Sequence, residues 1–90
     1  MSEDKFLALK NKLDESLTYP SVYMFKFILE ADNRKIAMVE NLFDENAEIY
    51  TKESDKGKYI SITINVVMIS TEEIINIYKK AAEIKGVMYL

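Results

Sequence analysis

The clearest pattern in the chain runs from Lys58 to Met68, KYISITINVVM. Ile60, Ile62, Ile64, Val66 and Met68 fall on one parity, and Tyr59, Ser61, Thr63 and Asn65 on the other. Strict alternation of this kind predicts a strand with one apolar face, and the β-branched residues on that face suit a pleated, half-buried surface. The opposite face is small and polar. The strand therefore reads as central in an antiparallel sheet that helices cover on one side only.

The flanking patterns supply those helices. Phe6, Leu9, Leu13 and Leu17 form a single stripe that predicts a helix from Ser2 to about Ser16, with Ser2 as N-cap and Glu3 and Asp4 in the first turn. Tyr19-Pro20 ends it, because the residue before proline is pushed out of helical space. Val22 to Leu29 is apolar on both parities except at Lys26, which predicts a strand contacted on both sides. Tyr23, Phe25, Phe27 and Leu29 are placed toward the helices, with Met24, Lys26 and Ile28 on the reverse. A second helix follows Asp32 as N-cap, with Ile36, Val39, Leu42 and Phe43 as its stripe.

Ala47 to Ser54 reads as a more polar edge strand, in which Lys52 and Glu53 discourage unwanted pairing. Asp55-Lys56-Gly57 reads as a tight hairpin with Gly57 left-handed. Ser70 with Glu73 forms a capping box for a last helix whose stripe is Ile74, Ile77, Tyr78, Ala81 and Ile84. Gly86 is expected as its C′ residue, and Val87 to Leu90 as a short final strand.

This order predicts an α+β, ferredoxin-like βαββαβ domain over residues 18–90. It has a four-stranded antiparallel sheet, two helices on one face, and an extra N-terminal helical extension over residues 1–17. The strands from Val22 and from Lys58 form the central pair, and the other sheet face is open.

Composition narrows the chemistry. The 90 residues contain no histidine and no cysteine, which removes the commonest general base, a thiol nucleophile, disulfides and thiolate or imidazole metal sites. Fifteen acidic and 12 basic residues give a net charge of −3, against the basic balance that phosphate binding favours, so nucleic acid is not an expected partner. No apolar run approaches the length of a membrane span, and the start lacks a secretory pattern. The expectation is a cytoplasmic protein with no membrane association, no cofactor and no bound metal.

Several blocks together carry a family resemblance: YPSVYMFKFI, ADNRKIAMVENLFDE, SDKGKYISITINVVMIS and EEIINIYKKAAEIKGVMYL. In their order and spacing, over roughly Thr18 to Leu90, the chain resembles the YbeD-like family of small bacterial proteins of unknown function. The resemblance implies a ferredoxin-like fold close to the ACT domains, regulatory modules that bind amino acids. It implies no activity and no catalytic residues. ACT domains that bind amino acids typically have glycine in the turn after the first strand. Here that turn is Glu30-Ala31-Asp32-Asn33, with none.

Individual candidate sites are few. Glu30, Asp32, Asp44, Glu45 and Glu48 lack the dense, regular spacing of a hard-metal loop, and capping and solvated charge account for them. Glu72 and Glu73 sit in a first helical turn, where the dipole explains them. Asn33, Arg34 and Lys35 stand at a helix mouth, a place where free amides can meet an anion. Acylphosphatase-like enzymes use this region of the same fold, but their glycine-rich phosphate loop is absent here and Asp32 would repel an anion.

The open sheet face is the main candidate contact surface: Met24, Lys26, Ile28, Tyr59, Ser61, Thr63 and Asn65. RNA-recognition modules on this fold stack bases on two aromatics of the central strands, whereas this set contains only Tyr59. The face is either hydrated or a protein contact, and its mixture of polar and apolar residues suits the latter. The N-terminal helix is one candidate to cover it, in cis or across a homodimer.

Three function classes follow. The first is a non-enzymatic regulatory or adaptor domain that binds a protein partner or itself. The second is an ACT-like small-metabolite sensor. The third, resting on Asn33 and Arg34 alone, is an acylphosphatase-like hydrolase.

Overall fold

The structure, a computed structural model, describes residues 2–89, with side chains from Lys5 onward. The capping roles expected of the Ser2, Glu3 and Asp4 side chains, and the strand end at Leu90, lie outside that description.

The element order is α1 (Ser2–Ser16), β1 (Ser21–Glu30), α2 (Asn33–Glu40), β2 (Glu48–Glu53), β3 (Tyr59–Met68), α3 (Thr71–Ala82) and β4 (Met88–Tyr89). The strands form one sheet in the order β2-β3-β1-β4, with every neighbouring pair antiparallel. This is the ferredoxin-like α+β arrangement with an added N-terminal helix, and β1 and β3 are its centre. Ten residues of β1 face ten of β3, from Ser21 opposite Met68 to Glu30 opposite Tyr59.

The apolar parities of the two central strands meet the helices as expected. Phe25, Phe27, Leu29, Ile62 and Ile64 are fully buried, together with Val39 of α2 and Ile74 and Ala81 of α3. Aromatic rings hold the middle of this layer. The Phe25 ring lies 5.1 Å from Phe43 and 5.3 Å from Tyr78, both tilted, and 4.7 Å from Tyr23 in an edge-on contact.

Local signals place the turns. The Asp32 carboxylate accepts the Arg34 and Lys35 amides at 2.9 and 3.4 Å, satisfying donors that open α2. Ser70 Oγ accepts the Glu73 amide at 3.1 Å and opens α3. Gly57 has φ +70° in the β2–β3 hairpin, where its N–H donates to the Ser54 carbonyl at 2.8 Å. Gly86 is not the C′ residue of α3. The helix ends at Ala82 with Glu83 as its cap. Gly86, at φ +84°, instead serves the next turn, which a Val87 N–H bond to the Ile84 carbonyl closes at 3.3 Å.

The open sheet face is not covered by α1. The helix lies on the opposite side of the molecule against α3, where Phe6 and Leu13 join the core. The reason is a second apolar flank on α3. Ile75 sits off the stripe that faces the sheet, yet it is buried. The Lys79 ammonium is 5.8 Å from the Phe6 ring, over its face. Polar groups add to the attachment: the Tyr19 hydroxyl bonds the buried Thr71 hydroxyl at 2.7 Å. One layer of helices thus covers one side of the sheet, and the other side is bare.

Candidate functional site

Residues directly opposite each other in antiparallel strands share a face. The registers therefore define the bare side in rows. Val22 lies beside Val67, and Met24 beside Asn65 and Glu48. Lys26 lies beside Thr63 and Tyr50. Ile28 has Met88 on one side and Ser61 and Lys52 on the other, and Glu30 is opposite Tyr59. The seven residues expected there, Met24, Lys26, Ile28, Tyr59, Ser61, Thr63 and Asn65, are all brought to this face.

Val22, Tyr50, Val67 and Met88 join them there, and these change the character of the surface. With Met24 and Tyr59 they make six of the ten exposed large apolar residues among those described, ranging from 41% exposed at Tyr59 to 66% at Val22. Single exposed apolar side chains are ordinary, but a majority gathered on one face is not. The parity of Val22 and Val67 was already in the sequence. Tyr50 and Met88 needed the pairing of the edge strands, which no local pattern reveals.

The polar groups of the face are short or charged. Ser61 Oγ donates to the Lys52 carbonyl at 3.4 Å, and the Lys58 ammonium stands 5.6 Å from the Tyr59 ring. Near the hairpin end the face dips into a depression of about 270 Å³, lined by Ile28, Lys52, Ser54, Tyr59 and Ser61 among others. Tyr50 and Tyr59 give the surface two aromatics, where the sequence had suggested one.

Asn33, Arg34 and Lys35 occupy the first turn of α2, away from this face. The Arg34 and Lys35 amides that could meet an anion are bonded to Asp32. Among the described residues no three acidic side chains come together in a way that could hold a metal ion. No described helix is long and apolar enough to cross a membrane.

Among the described residues, the shifted ionisable groups lie on the helical side. Burial pushes the Tyr78 phenol well above its ordinary value, and its hydrogen bond with Tyr23 adds to the effect. The Thr71 hydroxyl and the Lys10 ammonium hold the Asp14 carboxyl below the usual range, and Lys10 is raised in return. These groups fasten elements together, and none faces the open sheet.

Comparison with known proteins gives the chain a family. Residues 14–90 match the family model described as Protein of unknown function (DUF493). The chain is similar to a UPF0250 protein of Shewanella piezotolerans, 36% identical over 83 residues that cover 88% of this chain and 94% of the relative. UPF0250 proteins of Shewanella halifaxensis and Shewanella oneidensis align over the same shares at 35% and 32% identity. No solved structure matches.

Proposed function

From the premise that the chain belongs to the YbeD-like family, the family described as Protein of unknown function (DUF493), we propose that it is a small regulatory or adaptor domain acting by contact through its open sheet face. The observation that carries this reading is the set Val22, Met24, Tyr50, Tyr59, Val67 and Met88, exposed together on a face without helices. Apolar surface in water is unfavourable by about 25 cal/mol for each Å² that a partner could cover. A partner protein with its own apolar patch recovers that energy, and the interleaved Lys26, Thr63 and Asn65 orient it. The chain's family relatives have no enzymatic name.

The test is to place acidic groups on the face with Met24→Glu and Val67→Glu. Their host positions are 58% and 59% exposed, so folding is expected to survive. The reading requires that association of the purified domain with its partner weaken by at least about tenfold, as losing two buried apolar contacts implies. Unchanged association in both variants would remove its support.

A second reading, a small-metabolite sensor, draws on the depression of about 270 Å³ beside Tyr59 and Lys52. It calls for a melting-temperature rise with an amino acid or nucleotide that Lys52→Ala abolishes. No shift with any such compound at millimolar concentration sets this reading aside.

A further inference from the structure

On the helical side of the sheet a pocket of about 260 Å³ lies where α1 meets β1, α3 and β4. Phe6 and Leu9 of α1 line it, with Tyr23, Tyr78 and Tyr89. Exposed Lys5 completes the lining, and its ammonium stands 4.7 Å from the centre of the Tyr89 ring. No acidic side chain belongs to this lining among the described residues. Four other depressions of the described surface each carry at least one acid: Glu72, Glu53, Asp44 or Glu83. In a chain of net charge −3, the sign is locally reversed here. The tyrosines add a second, independent feature. The Tyr23 and Tyr78 hydroxyls bond each other at 2.9 Å. Such a pair uses one of its two O–H groups internally, whichever residue donates, and the other is left to donate elsewhere. Among the described residues nothing accepts it. The family match begins at residue 14, so Lys5, Phe6 and Leu9 lie outside the matched region.

We propose that this pocket binds a small aromatic carboxylate that carries no amine. An apolar lining with a few convergent polar groups is the ordinary form of a small-molecule site. Sites for drug-sized molecules run from about 300 Å³ upward, so a slightly smaller pocket suits a body of one or two rings. Tyr78 lies 5.0 Å from Tyr89 in a tilted contact and 6.3 Å from Tyr23 in an edge-on one, centre to centre. A ligand ring extends this cluster with contacts of the same kind. The two polar features are both donors, the Lys5 ammonium and the remaining tyrosine O–H. A carboxylate accepts from both, and hydrogen bonds to an ionised group are about twice as strong as neutral ones. An α-amino acid fits less well, because no carboxylate of the lining receives its ammonium. The pocket is on the opposite side of the sheet from the bare face, so the inference does not depend on what meets that face.

Titration of the isotope-labelled full chain with 3-phenylpropionate and indole-3-acetate, followed by NMR, tests it. Shift changes are expected to gather at residues 5, 6, 9, 23, 78 and 89. Three companions of 3-phenylpropionate probe the chemistry. Its amide, which lacks the charge, and phenylalanine, which adds an ammonium, are each expected to bind at least about tenfold more weakly. Hexanoate, which lacks the ring, is expected to bind more weakly than 3-phenylpropionate. Lys5→Ala alters an exposed side chain, so folding is expected to survive and affinity to fall at least about tenfold. Leu9→Trp fills the pocket and is expected to abolish binding. Lys52→Ala, on the bare face, is expected to leave it unchanged. No shift with either acid at millimolar concentration overturns the proposal. So does binding indifferent to Lys5→Ala, or a phenylalanine affinity equal to that of 3-phenylpropionate. Shift changes centred on Ile28, Tyr59 and Ser61 and lost with Lys52→Ala also overturn it, and would place the ligand on the bare face instead.

Discussion

The Tyr23 hydroxyl lies 2.9 Å from the Tyr78 hydroxyl and joins the central strand β1 to α3 across the helical layer. Tyr78 is only 2% exposed, so its phenol stays neutral in the folded chain while the unfolded chain ionises it around the ordinary value of 10.0. A raised folded value means that its contribution to stability is whole below that pH and falls as pH rises above it. Stability is therefore expected to decline from about pH 10 upward, by as much as about 1.4 kcal/mol per pH unit from this one group. Urea midpoints recorded from neutral to alkaline pH check this. Tyr78→Phe is expected to cost about 1 kcal/mol at neutral pH, from the lost bond, and to flatten the alkaline decline.

At the other end of the helical layer the sign reverses. Asp14 is held low by Thr71 and Lys10, whose ammonium is 3.0 Å from it, so this contribution is present above the ordinary value of 3.8 and is lost as pH falls through the lower folded value. Asp14 joins α1 to the start of α3. Amide protection in α1, taken relative to the intrinsic exchange rate at each pH, is accordingly expected to fall in acid before that in β1 and β3, and Asp14→Asn to remove that acid dependence.

Thr71 is buried and bonded to Tyr19 at 2.7 Å. Thr71→Val keeps the shape and deletes the hydroxyl, leaving Tyr19 without its partner. The expected cost is about 1–3 kcal/mol in chemical denaturation. Thr71→Ser keeps the bond and is expected to restore most of the loss.

Phe25 is fully buried among Tyr23, Phe27, Phe43 and Tyr78. Phe25→Ala is expected to cost about 3–5 kcal/mol. A domain of this size has roughly 5–13 kcal/mol in all. Gly57→Ala provides a contrast. An added Cβ meets nothing within 4 Å, so only the backbone at φ +70° opposes it, and the expected cost is about 1–2 kcal/mol. Melting curves of the two variants should differ accordingly.

The fold was legible because its local signals agreed with one another. The alternation from Ile60 to Met68, the Asp32 and Ser70 caps and the turn glycine at 57 each gave the same answer from different physics. What failed was non-local. The stripe Phe6, Leu9, Leu13 and Leu17 announced a helix that packs, but an apolar stripe does not say against what. Ile75, which settles the matter, lies outside the main stripe of its own helix. Met24, Ile28 and Tyr59 mark the open face in the sequence, but most of its apolar weight comes from other residues. Tyr50 and Met88 reach it only through strand pairing, a relation between distant residues that local periodicity does not encode. Glycine is common at helix ends, so Gly86 reads as a cap, whereas the turn it serves lies a few residues further on.

The open sheet face is proposed as the place where this protein makes contact. Photoreactive side chains at positions 24, 50 and 67, on the face, and at exposed position 83, on the helical side, test it in living cells. The account predicts one discrete adduct from the face positions and none from position 83. It also predicts that the adduct's partner, once purified, binds the wild type and loses at least about tenfold in affinity for Met24→Glu and Val67→Glu. Adducts absent from the face, or equal from both sides, would contradict it.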